Sequence, residues 1–299
     1  MELRVLKYFL AVAREENFSK AAESLHLSQP TLSRQIQDFE DELGKKLLIR
    51  GKRKITLTDE GMLLRRRAQE IVDLTEKTEA EIKQSDEFIS GNVYIGGGET
   101  EGMRLIANTA KFLQEDYPQI KFHLFSGVAD DVTERLDKGL LDFGVVIELT
   151  EIIKYNSIKL PVSVTRGVLM RKDSPFAARD VVTPDDLLQM PLIVSPHAAV
   201  PNLYSNWTGG RFDKLNVVAT FNLLFNAALM VEEGVGNAIC IDGLYTESGD
   251  SPLCFRRLEP KVENGLVMVW KKYQIFSKAA EKFLQKLQEE INIIKYELS

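Results

Sequence analysis

Ser28-Gln29-Pro30-Thr31-Leu32-Ser33-Arg34-Gln35-Ile36-Gln37 is the stretch on which the fold turns. Its two apolar residues, Leu32 and Ile36, continue into Phe39 and Leu43 at the i, i+4, i+7, i+11 spacing of a single buried helical stripe. Ser28 is the expected N-cap, and Pro30 falls in the first turn, where a missing N–H costs nothing. Gly44 stands where a left-handed residue would end the helix. With the stripe inward, Ser28, Gln29, Pro30, Thr31, Ser33, Arg34 and Gln37 form the outer, acid-free half of the helix. Gln can pair bidentately with adenine and Arg with guanine, while Ser and Thr suit phosphate. The helix N-terminus adds free N–H donors. Acids begin only at Asp38 and continue at Glu40, Asp41 and Glu42.

The flanks support this reading. Leu3, Leu6, Leu10 and Ala13 repeat at helical spacing, and Ser19 is the expected cap of a second helix through Ala21-Ala22 to Leu25. His26-Leu27-Ser28 is a short turn. After the third helix, residues 45–57 carry six basic residues and no acid, and read as two short strands around a Gly51 turn. Arg50, Lys52, Arg53 and Lys54 are the candidates there for gripping a phosphate backbone. Three helices and a basic hairpin outline a winged helix-turn-helix. Any amphipathic helix has a polar face, so the conjunction of these elements carries the argument.

Composition agrees once it is divided. The 299-residue chain is 44% hydrophobic and 27% charged, as in ordinary globular proteins, with a formal net charge of -6. Residues 1–67, however, hold fourteen Lys/Arg against ten Asp/Glu, so a basic head precedes an acidic body. Arg4 and Lys7 interrupt the apolar start, which argues against a signal peptide, and no run reaches membrane-spanning length. The expected location is the cytoplasm. Cys240 and Cys254 are too few for a disulfide framework, and His26, His123 and His197 lack metal-ligand spacing. No metal or cofactor is expected.

From Thr58 to about Ile89 a single polar helix is predicted. Leu64, Ala68, Ile71, Thr75, Thr78 and Ile82 follow a 4-3-4-3-4 heptad seam suited to a dimer arm. Beyond Asn92, strands and helices alternate in an α/β pattern with mostly parallel strands.

Residues 1–67 resemble the DNA-binding head of the LysR-type transcriptional regulators. The resemblance lies in Asn17-Phe18-Ser19-Lys20-Ala21-Ala22, in Leu27 to Ile36, in Leu43-Gly44, Leu47 and Arg50, and in Leu57-Thr58-Asp59-Glu60-Gly61. Leu48, where the family usually has Phe, and Ile49, where it has a polar residue, depart from it. The resemblance runs through the rest of the chain. It implies an α/β protein overall: a winged helix-turn-helix over 1–58, a linker and dimerisation helix over 59–90, and a periplasmic-binding-protein-like effector domain over 91–299. That domain would have subdomain I at about 91–161 and 266–299 and subdomain II at about 162–265, with an effector between them.

By the same resemblance, the cleft candidates are Gly98, Glu99, Thr100, Glu101, Gly127, Val128, Ser195, Pro196, His197, Phe221 and Asn222. Gly98 stands where many relatives carry Ser. Glu99 and Glu101 would disfavour an anionic effector if they point inward, or would simply favour the helix dipole. Gly96-Gly97-Gly98-Glu99-Thr100-Glu101-Gly102 is no dinucleotide fingerprint, because GxGxxG is not met. A stand-alone solute-binding protein would have no use for the basic head, and no nucleophile–base pair suggests an enzyme. The expectation is an effector-controlled, sequence-specific DNA-binding regulator. Its expected partners are double-stranded DNA, a small molecule, a second copy of itself as dimer or tetramer, and RNA polymerase.

Overall fold

Leu32, Ile36 and Phe39 do face inward, and the head is built around them. In the computed structural model, residues 1–51, 54–82, 89–147, 154–195, 204–245 and 251–297 are described. The chain forms two units, Met1–Lys83 and Gln84–Ser299. The first holds α1 (Leu3–Glu15), α2 (Phe18–Ser24), α3 (Gln29–Leu43), β1 (Leu48–Arg50), β2 (Ile55–Leu57) and α4 (Asp59–Ile82). Ser28 Oγ accepts from Thr31 N at 3.3 Å and so caps α3, which ends at Gly44 with φ 63°. The second helix is capped two residues earlier than expected. Asn17 Oδ1 accepts from Ser19 N and Lys20 N at 2.8 and 3.1 Å, so Ser19 lies inside α2.

Two apolar expectations change. Leu43 is 40% exposed, because the buried stripe of α3 turns after Ile36 to the i+4 position, Glu40. The α4 seam is also divided. Ala68 and Val72 are buried in the head's own core with Leu64 against them, whereas Ile71 and Ile82 face solvent. Thr75 and Thr78 donate their hydroxyls to Ile71 O and Leu74 O within the helix, so they need no partner chain. The start of the expected linker is therefore part of the head.

Glu40 is 3% exposed, and its carboxylate is the joint of this unit. Oε1 accepts from Leu47 N at 2.7 Å and Leu48 N at 3.1 Å, and Oε2 from Lys46 Nζ at 3.0 Å. Leu47 O in turn accepts from Thr58 N at 3.0 Å. Thr58 Oγ1 donates to Lys46 O and accepts from Gly61 N, capping α4. A Cβ at Gly61 would lie 2.1 Å from Leu47 O, so only glycine allows α4 to start here. One carboxylate thus ties α3 to the strand that leads into the wing.

In the second unit, β3 (Gly91–Gly97), β4 (Ile120–Ser126) and β5 (Phe143–Ile147) are parallel neighbours, followed by the long β6 (Tyr155–Arg171). Then come β7 (Val181–Val182), β8 (Pro191–Val194), β9 (Asn216–Thr220), β10 (Asn237–Ile241), β11 (Leu253–Leu258) and β12 (Glu263–Lys271). The helices are α5 (Met103–Asp116), α6 (Ala129–Asp137), α7 (Pro184–Leu187), α8 (Leu224–Glu232) and α9 (Lys278–Glu297). Among the described residues the strand order is β4-β3-β5-β12-β6-β10-β8-β9.

The centre of this sheet is antiparallel rather than parallel, because β12 and β6 run through it. β6 pairs with β12 as far as Thr165, then with β10 from Arg166 and β11 from Gly167. The change of partner therefore falls inside an unbroken strand, beyond Leu160-Pro161. Pro161 lies in a bulge, where Leu266 faces the residues between Lys159 and Ser163 and no ladder N–H is lost. Separate apolar cores flank the two ends of β6, one around Phe143 and Phe283, the others around Leu192 and Val231.

Burial alone would raise the Glu40 pKa, but the Leu47 N–H, the Lys46 ammonium and the Leu48 N–H overcome it and hold the carboxyl below its usual value. The linked stability is present above the unfolded carboxylate pKa and lost as pH falls through the lower folded one. Glu40→Ala, which leaves two buried N–H groups unmatched, should cost about 1–3 kcal/mol. Denaturant titration at neutral and acidic pH checks both: the deficit should shrink as the pH falls.

Candidate nucleic-acid interface and ligand cleft

On the head, Ser28, Gln29, Pro30, Thr31, Arg34 and Gln37 are exposed and Ser33 is half-buried. Arg34 is held only loosely, its Nε 4.0 Å from Asp38 Oδ2 one turn on. Thr31 Oγ1 meets Ser28 Oγ at 2.7 Å, so the first turn presents linked hydroxyls beside free helix N–H groups. In the hairpin, the Arg50 guanidinium carbon lies 5.0 Å above the Phe18 ring, which supports an exposed cation without neutralising it. Lys54 pairs with Glu16, the C-cap residue of α1, at 3.1 Å. Lys52 and Arg53 lie outside the described residues.

In the second unit, several of the cleft candidates come together at strand ends. Gly97 O accepts from Gly127 N at 3.1 Å, and a Cβ on Gly98 would lie 3.8 Å from Gly127 O. Val128 begins α6, its carbonyl accepting from Val132 N. The turn from Gly98 to Gly102 packs closely, since a Cβ on Gly102 would strike Leu266 of the β12 bulge at 2.2 Å. Thr100 Oγ1 is buried there without a hydrogen-bond partner. Phe221 N donates to Val194 O at 3.1 Å, which sets Phe221 beside the end of β8 and Ser195. Asn222 Oδ1 accepts from Leu223 N, a local turn bond. Pro196 and His197 lie outside the described residues.

Glu99 and Glu101 differ in role. Glu101 is paired with Arg104 on its own side, at 2.9 Å. Glu99 reaches across: its Oε2 accepts from Leu224 N at 3.3 Å, in the first turn of α8. The N-cap residue Leu223 has no side chain to offer, so a carboxylate from the β3 side caps a helix of the other half. Residues that motif reading missed complete this region. A Cβ on Gly243 would sit 2.8 Å from Glu101 Cγ, and Asp242 beside it holds Arg257 at 2.9 Å. Asp242-Gly243 was a turn signal; Leu224, an apolar residue acting through its backbone, gave none.

Two buried groups lie nearby. Burial pushes the Tyr204 phenol up to about 12, with the Arg166 charge pulling the other way. Burial likewise pushes the Cys240 thiol up to about 12, so it remains protonated and unreactive near neutrality. Among the described residues, no group of three or more His, Cys, Asp or Glu could hold a metal ion, and no helix is long and apolar enough to cross a membrane.

The LysR substrate binding domain matches residues 87–292, and the bacterial regulatory helix-turn-helix protein of the lysR family matches residues 3–62. The chain belongs to the LysR family. It is a DNA-binding transcriptional regulator with an effector-binding domain. The HTH-type regulator YfeR of Shigella flexneri is 28% identical over 293 residues, covering 98% of this chain and 95% of that protein. OxyR of Escherichia coli K12 is 34% identical over 188 residues, covering 62% of this chain and 61% of OxyR. The fold is also that of CbnR solved with its target DNA, at TM-score 0.70 and 19% identity, covering 97% of this chain and 99% of CbnR.

Removing the Glu99 cap of α8 should be measurable. Glu99→Ala leaves Leu224 N without its side-chain acceptor and should lower stability by about 1 kcal/mol. Glu101→Ala, which loses only an exposed i,i+3 pair, should change it by no more than a few tenths of a kcal/mol. Thermal unfolding of the two variants side by side makes the comparison.

Proposed function

We propose that this LysR-family regulator reads operator DNA with the outer first half of α3 and holds the backbone with its basic hairpin. The observation that carries this is the exposed, acid-free surface of Ser28, Gln29, Pro30, Thr31, Ser33, Arg34 and Gln37, on a helix whose other face is buried and whose hairpin is pinned by Glu40. Arg34 and the amides of Gln29 and Gln37 would supply base contacts. Arg50, Lys52 and Arg53 would supply phosphate contacts, with a smaller share from Lys54. A small-molecule effector would bind where the Gly98–Glu101 turn, Gly127, Val128, Ser195-Pro196-His197 and Phe221-Asn222 converge, between subdomain I (about 91–161 and 266–299) and subdomain II (about 162–265). By biasing how the two ends of β6 close on one another, it would alter the pairing of DNA-binding heads.

Self-association has support of its own. The terminal strands of the sheet, β4 and β9, show exposed Leu124, Val217 and Val218, and α8 adds Phe225 and Leu229. Phe225 is 72% exposed, a position a second copy would cover. The outward residues Ile71 and Ile82 of α4 offer a further contact, giving a dimer or tetramer. As a regulator acting on promoter DNA, the protein would work in the cytoplasm, as a binder and not a catalyst, with RNA polymerase as a later partner.

The fold does not support a Cys240–Cys254 bridge in this chain. β10 and β11 flank β6 on opposite sides, with Cys240 opposite Gly167 and Cys254 opposite Met170. Two strand spacings put them about 9–10 Å apart laterally, beyond the roughly 7 Å limit for a disulfide.

Arg34→Ala should cost about 1–3 kcal/mol in affinity for the operator while leaving random DNA unaffected. Gel-shift titrations on both DNAs test this, and equal losses on both would remove α3 from base reading. Phe225→Glu should shift the protein to smaller species in sedimentation while its helix content is kept. An unchanged assembly would put the interface elsewhere.

A further inference from the structure

The residue at which β6 changes partner carries a cation that meets no carboxylate among the described residues. Arg166 lies opposite Ile241 at the carboxyl end of β10, one step past the last pairing of β6 with β12, Thr165 with Glu263. Ligands of open α/β sheets collect at such switch points, outside carboxyl strand ends. Arg166 is half-buried, and its Nε donates a long hydrogen bond to Asn264 Oδ1 at 3.4 Å. Among the described residues no carboxylate pairs with it, and the adjacent Asp242 is already taken by Arg257.

A second donor stands beside it. Tyr204 is 1% exposed, and its hydroxyl is buried with no hydrogen-bond partner. The Arg166 guanidinium carbon lies 5.9 Å from its ring centroid. A buried tyrosine normally finds a partner for its O–H, and a half-buried arginine normally finds an anion. Here a guanidinium and a phenol hydroxyl lie together, and among the described residues no carboxylate lies between them. A further anion-attracting feature of the region, the N-terminus of α8, is already filled by the chain's own Glu99.

We propose that Arg166 and Tyr204 form the oxyanion subsite of the effector cleft, so that the effector carries a carboxylate or phosphate group. This rests on the reading of the cleft as the effector site. Arg166 would hold the group through its planar fork, and the Tyr204 hydroxyl would donate to the same oxygens. Neutral recognition groups would fall to the Gly98–Thr100 turn, where Thr100 offers its unused hydroxyl. Glu99, kept at α8, turns an acid away from that end.

The test uses the full chain and the variants Arg166→Gln and Tyr204→Phe, with benzoate, inorganic phosphate and benzylamine as probes at matched ionic strength. Thermal shift and operator affinity are both read. Benzoate or phosphate should raise the melting temperature of the wild type, and the stronger of the two names the group. The half-saturating concentration should rise at least tenfold in each variant. Ligand-free Tyr204→Phe should melt at or above the wild type, because its hydroxyl has no partner to lose. Equal half-saturation in wild type and variants, a response to benzylamine alone, or no response to either anion overturns the subsite. So does a ligand-free Tyr204→Phe that melts lower, which would give the hydroxyl a structural role. If an anion binds through Arg166 but leaves operator affinity unchanged, the subsite stands and the effector reading falls. If operator affinity responds to a probe identically in Arg166→Gln, the effector reading stands and the subsite falls.

Discussion

A carboxylate buried between a helix and a hairpin organises the head of this regulator. Glu40 takes the N–H groups of Leu47 and Leu48 and the ammonium of Lys46, fixing the start of the wing against α3. Leu47 then passes the constraint to α4 through its carbonyl, against which only Gly61 fits. Burying a carboxylate is costly unless its oxygens are satisfied, and here both are. The bond sits one turn past Ile36, so the same helix that buries Leu32 and Ile36 also sets where the basic hairpin stands. The face proposed to read bases and the strands proposed to hold phosphates are positioned by one side chain.

The effector unit depends on a different constraint, a strand that serves two sets of partners. β6 leaves β12 and joins β10 and β11 without breaking, and the bulge at Pro161 and Leu266 supplies local give. The turn at Gly98–Gly102 packs on that bulge, and Glu99 reaches from it to α8. A ligand at this junction would touch both ends of the strand at once, which is what an effector needs if it is to bias their closure.

Local signals made much of this legible from sequence. Ser28, Pro30 and Gly44 act on the nearest backbone, and Leu32, Ile36 and Phe39 at helical spacing identify the buried face without tertiary knowledge. The head's other features were less visible. Glu40 reads as a solvated acid, because its partners are backbone N–H groups that leave no mark in the side-chain pattern. The seam of α4 looked continuous because spacing cannot tell a helix's own core from a partner's. Ala68 and Val72 answer to the first, while Ile71 and Ile82 are left outward. In the second unit, the alternation of strands and helices is legible beyond Asn92, but the antiparallel centre formed by β6 and β12 is not, because pairing direction leaves no local mark. Glu99 meeting Leu224, and Arg166 beside Tyr204, are long-range pairings that nothing local encodes.

The most direct test of the head's geometry is the ratio of operator to random-DNA affinity in Glu40→Gln. That variant keeps every side chain proposed to touch DNA and changes only the joint. A ratio reduced severalfold, with the fold intact by circular dichroism, is the predicted result. An unchanged ratio would contradict the account, because α3 and the wing would then read DNA without the carboxylate that sets their relation.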